Sequence, residues 1–334
     1  MDKIIRVAVD AMGGDYAPAE IVKGAVQAVN EDKQIAVTLV GREEDVQKEL
    51  AGLTYDKDRI SVVNATEVIT NEEAPVVAIR TKKDSSIVVG QKLVKSGDAD
   101  AFVSAGSTGA VLVGGQLNIG KLKGVQRAPL APLIPTLKGF SLLIDCGANV
   151  DARASHLVQF ARMGSIYMEN ILGVKDPKVA IVNIGAEEEK GNMLVKETFP
   201  LLKADEKINF VGSIEARDIP KGDADVIVCE AFTGNVILKL YEGVADALMK
   251  KIKGSLMSSF KGKIGGALIK KPLKETLKDF DASKIGGAPL LGLNGLVVKV
   301  HGNSDAKAIR NAVIQCVKFS QQDIAGKIRD NLTE

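Results

Sequence analysis

The chain has 334 residues, with 44 Lys+Arg against 42 Asp+Glu and a formal net charge of +2. That length builds roughly two domains or one large α/β domain, with a core that needs neither disulfides nor metal. A content of 46% hydrophobic and 26% charged residues excludes wholesale disorder, and the balanced charge, 4% aromatics and absent Trp exclude a dedicated nucleic-acid binder.

Lys3 and Arg6 open the chain, but Asp10 interrupts the apolar run after a few residues, so no signal peptide is expected. Ile4 to Val9 is a β-branched run leading into Asp10-Ala11-Met12-Gly13-Gly14-Asp15, and a helix is predicted from near Pro18. Ala36 to Val40 ends at Gly41, before a charged helix from near Glu43. Phe102-Val103 opens onto Ser104-Ala105-Gly106-Ser107-Thr108-Gly109-Ala110 and another helix. The uncharged stretch Ala101 to Gly120 is long enough to span a bilayer by count, yet its five glycines and interspersed Ser, Thr, Gln and Asn predict a loop and a buried helix. Ser141 to Ile144 meets Asp145-Cys146-Gly147-Ala148-Asn149, with a helix from about Ser155. Val179 to Val182 meets Asn183-Ile184-Gly185-Ala186 and then Glu187-Glu188-Glu189-Lys190-Gly191-Asn192. Val226 to Val228 meets Glu230-Ala231-Phe232-Thr233-Gly234-Asn235, and Leu296 to Val300 meets His301-Gly302-Asn303-Ser304-Asp305.

Apolar strands separated by helices predict a mostly parallel, doubly wound sheet covered on both faces, an α/β/α sandwich. Right-handed crossovers would set all of these loops at one carboxyl edge of that sheet, around one crevice. No repeat or linker divides the chain, so residues 1–334 are read as a single large α/β/α domain. Lys250 to Lys274 departs from the pattern, with eight lysines, no acid, and Leu256, Phe260, Ile264 and Leu268 recurring every four residues. It predicts an amphipathic helical protrusion at about 245–280 with a cationic face.

Ser104 to Ala110 joins a strand to a helix, and its unobstructed backbone N–H groups with the hydroxyls of Ser104, Ser107 and Thr108 form a natural anion site; a structural turn is the alternative. Neither G-x-x-x-x-G-K-[ST] nor G-x-G-x-x-G occurs. Lys190 is either a solvated charge or a cation holding a phosphate or oxyanion, and Asn235 and Asn149 are either helix caps or amide donors to the same oxygen. His301, at a strand end, is the better acid–base candidate than His156, which falls in a helical pattern. No G-x-S-x-G elbow or histidine ligand spacing is found. Cys146, Cys229 and Cys316 form no C-x-x-C, predicting reduced thiols, and Cys146 reads as a small filler sooner than a nucleophile. Asp10, Asp15, Asp145 and Glu230 would bind Mg²⁺ only by converging, and no metal or other cofactor is expected.

Together, the loops at Asp10–Asp15, Ser104–Ala110, Asp145–Asn149, Asn183–Gly191, Phe232–Asn235 and His301-Gly302 resemble, in order and over essentially the whole chain, the bacterial phosphate acyltransferases of phospholipid synthesis, the PlsX family. Three departures are Ser107 where the family more often has Asn, Ala128-Pro129 in place of Pro-Ala, and Glu230-Ala231 where Asp-Gly is usual. The resemblance implies a fold similar to isopropylmalate dehydrogenase and phosphate acetyltransferase, a homodimer, and transfer of a long-chain acyl group from acyl carrier protein to inorganic phosphate, giving acyl phosphate. With the loop chemistry, it assigns Lys190, Asn235 and His301 to catalysis, and Ser104, Gly106, Ser107, Thr108, Gly109 and Asn149 to phosphate. Asp10, Gly13, Gly14, Asp15 and Glu230 are expected to support these loops. A cytoplasmic enzyme peripherally associated with an anionic membrane surface is expected, through Leu256, Phe260, Ile264 and Leu268, near the integral membrane glycerol-3-phosphate acyltransferase that uses acyl phosphate. Packing of the same stripe across a dimer interface is the alternative there. Two rival functions are a dehydrogenase on the same type of scaffold and a non-catalytic scaffold that binds acyl carrier protein at the membrane.

Overall fold

The strand–helix rhythm builds two sheets. In the computed structural model, which describes residues 4–279 and 286–333, the strands are β1 (Ile5–Asp10), β2 (Ile35–Gly41), β3 (Ile60–Asn64), β4 (Ala101–Ser104), β5 (Leu133–Thr136), β6 (Gly139–Ile144), β7 (Lys178–Asn183), β8 (Asn209–Glu215), β9 (Val226–Val228), β10 (Ala288–Leu290) and β11 (Leu296–Lys299). The first sheet has the order β10-β11-β4-β1-β2-β3 and the second β5-β6-β9-β7-β8. Neighbours are parallel except the edge pairs β10–β11 and β5–β6. The chain thus leaves the first sheet after β4, completes the second, and returns to finish the first with β10 and β11. Strand–loop–helix periodicity is the same in both sheets, so the sequence reading merged them; the loops instead come from two carboxyl edges.

The helices are α1 (Ala19–Glu31), α2 (Glu43–Leu50), α3 (Pro75–Thr81), α4 (Ser86–Ser96), α5 (Thr108–Gly114), α6 (Ala154–Tyr167), α7 (Met193–Lys203), α8 (Ala231–Met257), α9 (Phe260–Asp279), α10 (Ala306–Gln321) and α11 (Ile324–Thr333). On one face of the first sheet, Ile21, Val22, Ala25 and Val29 of α1 and Ile309, Ala312, Val313 and Cys316 of α10 bury with Val7, Val9, Val37 and Val103. On the other, Ile87 and Val88 of α4 and Ala110 and Val111 of α5 pack on Ala8, Val40 and Phe102. The second sheet buries α6, α7 and α11 on one side, and Ile219 with Ile237 and Leu238 of α8 on the other. Each sheet is therefore the middle layer of an α/β/α sandwich. The uncharged run from Ala101 forms β4, α5 and a π turn, Gly115–Ile119, largely buried.

α8 leaves the body of the protein: of its residues only Ala231 and Gly234 are buried. α9 folds back along it through a turn in which the Gly262 N–H donates to Ser259 Oγ at 3.0 Å. A Cβ at Gly262 would lie 2.5 Å from the Leu256 carbonyl oxygen, so this glycine is a steric requirement of the tip. The pair spans the protrusion expected at about 245–280 as far as Asp279; residue 280 lies outside the described residues. Phe260 and Leu268 are 78% and 77% exposed and Ile264 is also exposed. Leu256 differs from them. It is half-buried, with a Cβ at Gly266 falling 3.6 Å from its own, because it packs between the two helices. Where the chain rejoins the first sheet, buried Gln315 of α10 clasps Gly287, accepting from its N–H at 2.9 Å and donating to its carbonyl at 3.2 Å.

Candidate active site

The register that pairs Val9 with Val103 sets Asp10 beside Ser104, and Ser104 is paired in turn with Lys299. Ser104 Oγ donates to Asp10 Oδ2 at 2.6 Å, and the Gly106 N–H donates to Ser104 Oγ at 3.0 Å. The Met12 N–H completes the Asp10 shell at 3.2 Å. Burial raises the Asp10 pKa against the hydrogen bonds from Ser104, Ser86 and Met12. No side chain fits where the two loops meet: a Cβ at Gly13 would lie 2.3 Å from Asp10 Oδ2 and 2.6 Å from the Gly106 nitrogen. Gly14 adopts φ +103, and the next amide, of Asp15, donates to the Gly302 carbonyl at 2.8 Å. Three loops, after β1, β4 and β11, are thereby tied together.

They border a cleft of about 560 Å³. Its lining brings together the expected residues Asp15, Gly106, Thr108, Asn235 and His301, with Cys146, Leu130, Leu133 and Leu238 as an apolar side. Ser107 stands at the N-cap of α5 without a side-chain cap bond, leaving the first-turn amides to another acceptor. Gly109 serves packing, since a Cβ there would meet Pro75 of α3 at 2.5 Å. Gly234 lets α8 start against the Asp145 carbonyl, 1.9 Å from where its Cβ would stand, and this docking places Asn235 in the cleft.

Lys239 and Glu242 lie on the same face of α8 as Asn235 and also line the cleft; they are absent from the sequence-based assignment. Lys239 Nζ donates to Glu242 Oε2 at 2.8 Å and lies 3.4 Å from His301 Nε2. Lys299, the last residue of β11, is a further omission. It lines the cleft at 8% exposure, with its ammonium on the Val300 carbonyl. Burial, aided by Lys239, lowers its pKa to about 8 against the pull of Asp10 and Asp15. Two signals were available: a lone charge inside the apolar run Leu296–Val300, and Lys239 and Glu242 at helical spacing from Asn235.

Other expected residues are placed elsewhere. Asn149 is buried and donates to Asp145 Oδ2 at 2.7 Å and to the Ala128 carbonyl at 3.0 Å, so both amide hydrogens bind the fold. Asp145 also accepts from the Leu130 and Ala148 amides, and burial raises its pKa. Glu230 is the N-cap of α8, accepting from the Phe232 and Thr233 amides and the Thr233 hydroxyl. Lys190 is exposed in the loop after β7, held by Glu187 at 2.8 Å, which raises its pKa; it is not in the cleft lining. Burial pushes the Cys146 and Cys229 thiols well up, which suits packing and not nucleophilic attack. Among the described residues, no three His, Cys, Asp or Glu side chains gather as a metal site, and no helix is long and apolar enough to cross a membrane.

The buried Lys299, the first-turn amides of α5 and an apolar wall suit an anion beside an acyl group, and the comparisons with known proteins agree. Residues 5–327 match the family model of the fatty acid synthesis protein. The phosphate acyltransferase of Clostridium tetani is 48% identical over 328 residues, covering 98% of each chain. That of Clostridium botulinum (strain Loch Maree) is 50% identical over 326 residues, covering 98% of this chain and 97% of the relative. In fold, a phosphotransacetylase from Streptococcus pyogenes superposes with TM-score 0.64 at 18% identity, over 96% of this chain and 95% of that one. The chain belongs to the phosphate acyltransferase (PlsX) family, acyltransferases of lipid biosynthesis.

Proposed function

We propose that the cleft transfers a long-chain fatty acyl group from acyl carrier protein to inorganic phosphate, releasing acyl phosphate for phospholipid synthesis. The observation that carries this reading is the meeting, in one cleft, of the α5 first turn, the Asn235 amide and His301 beside an apolar wall. A phosphate oxygen attacks the thioester carbonyl carbon; the new C–O bond forms as the C–S bond breaks and its electron pair leaves on sulfur. Phosphate is already anionic at neutral pH and a thiolate leaves well, so no covalent enzyme intermediate is required. Orientation and stabilisation of the tetrahedral oxyanion, by backbone amides and the Asn235 amide, supply most of the rate. His301 Nε2, beside Lys239 and Glu242, serves the proton that the departing sulfur takes up.

Two features of the protrusion support its expected partners. The stripe of exposed Val236, Leu240, Val244 and Leu248 on α8 suits burial against a second copy of the chain. Phe260, Ile264 and Leu268, flanked by lysines on a segment without acids from Lys250 to Lys274, suit shallow contact with an anionic membrane. There the integral membrane acyltransferase would take up acyl phosphate, beside an otherwise cytoplasmic enzyme. Incubation with palmitoyl-acyl carrier protein and labelled inorganic phosphate tests the reaction. Carrier thiol and labelled acyl phosphate should appear together, without nucleotide or nicotinamide. Thiol release that is indifferent to phosphate would make the protein a thioesterase, and no release at all would leave a scaffold.

A further inference from the structure

Asp10, Ser104 and Lys299 form a row across the carboxyl ends of three adjacent strands, β1, β4 and β11. The carboxylate end of the row is already satisfied, by the Ser104 hydroxyl and the Met12 amide. The ammonium end is not. Lys299 is buried, yet its hydrogen-bond partner is the carbonyl of its own neighbour, Val300, and no carboxylate among the described residues lies within ion-pair distance. Asp10 and Asp15 act on this ammonium only from beyond contact distance, so its burial is incompletely compensated, and the cost falls when an anion arrives beside it. Lys299 lines the cleft together with Thr108 at the start of α5, whose loop begins at Ser104, the neighbour of Lys299 in the sheet. A lysine serves phosphate as a compact point charge.

From this geometry we propose that Lys299 is the cation that binds the phosphate in the cleft, a role that sequence reasoning gave to Lys190. The inference rests on the phosphate acyltransferase reading and deepens it. A second feature fits the same role. The Gly286–Gly287 segment, which also lines the cleft, lies close against the backbone that carries Lys299, a Cβ at Gly287 falling 2.6 Å from the Lys299 carbonyl oxygen, and so holds that end of β11 at the cleft wall. Thr108 and the first-turn amides then hold the remaining phosphate oxygens, and Asn235 stays free for the carbonyl of the acyl donor.

The test measures inorganic phosphate binding directly, by calorimetry, in wild type and in Lys299→Met, a nearly isosteric change that removes the charge. The dissociation constant should rise at least about 30-fold, while the KM for the acyl donor stays within about twofold and Lys190→Ala binds phosphate as wild type does. In wild type, 10 mM phosphate, compared with 10 mM sulfate, should slow acetylation of Lys299 read by mass spectrometry, a readout that needs no variant to fold. Equal phosphate affinity in Lys299→Met, or acetylation indifferent to phosphate, overturns the assignment while phosphate-dependent thiol release leaves the reaction standing. Phosphate binding through Lys299 without thiol release in wild type does the reverse, and absence of phosphate binding in wild type overturns both.

Discussion

Ser104 Oγ donates to Asp10 Oδ2 across 94 residues of sequence and a distance of 2.6 Å, deep in the first sheet. The same oxygen accepts from the Gly106 amide, so one hydroxyl positions both a buried carboxyl and the loop that opens onto the cleft. Ser104→Ala leaves a buried acid and a loop amide without their partner. Unfolding in urea at pH 7 should show a loss of about 1–3 kcal/mol. A change below about 0.5 kcal/mol would mean that water replaces the hydroxyl.

Gly106→Val acts on the same junction. Its Cβ would stand 3.0 Å from Asp10 Oδ2 and 3.2 Å from Ser104 Oγ, pointing into the strand ends and not into the cleft. The melting temperature and the phosphate KM should therefore worsen together, KM by about tenfold or more, with Gly106→Ala intermediate. A raised KM at unchanged melting temperature would instead place the anion directly on this residue.

Asn235→Ala should lower kcat/KM about 100-fold at unchanged melting temperature, since the amide faces the cleft and holds no part of the core. Lys190→Ala separates two geometries. Its ion pair with Glu187 is on the surface, so a drop of similar size requires the loop after β7 to bring that ammonium to the cleft during turnover. Steady-state kinetics on both variants distinguish the cases.

The lowered Lys299 pKa has a definite signature. Between its folded value of about 8 and the ordinary 10.5, the unfolded chain binds the proton that the folded chain has lost, so stability rises with pH across that window. Urea unfolding at pH 8 and 10.5, wild type minus Lys299→Met, should differ by about 3 kcal/mol. Asp10 on β1, Asp15 on its loop and Lys239 on α8 face the same ammonium and are unchanged in the comparison. A flat difference would show that Lys299 is charged alike in both states.

For the protrusion, Phe260→Glu combined with Leu268→Glu is cleaner than any change at Leu256, which packs against α9. On anionic vesicles the double variant should lose sedimentation and keep the oligomeric state of wild type. A change of oligomeric state in the variant, or failure of wild type to sediment, would assign the stripe to a protein interface.

Much of this was legible in one sequence because β-branched runs, glycine loops and helix caps are local signals. Ile5–Asp10, Ala101–Ser104 and the loop to Ala110 are where the residue pattern sets them. What local pattern does not report is which strands become neighbours. Nothing around Leu296 says that β11 lies next to β4, so Lys299 reads as a strand-end charge until pairing puts it beside Ser104. Asn149 and Glu230 show the converse. Asn149 has the amide of an anion site and Glu230 the carboxylate of a cation site, but the donors and acceptors are consumed by Asp145, Ala128 and the start of α8.

The return of the chain to its first sheet has a consequence during synthesis. Asp10 and Ser104 are made before the whole second sheet, yet the pocket they border has no His301, no Lys299 and no Gly302 carbonyl for Asp15 until that sheet has been made as well. A chain halted within the second sheet therefore carries β1, β4 and the loops that follow them with one wall of the pocket still missing, so the two ends of this row of strands are joined only across the folding of a second sheet.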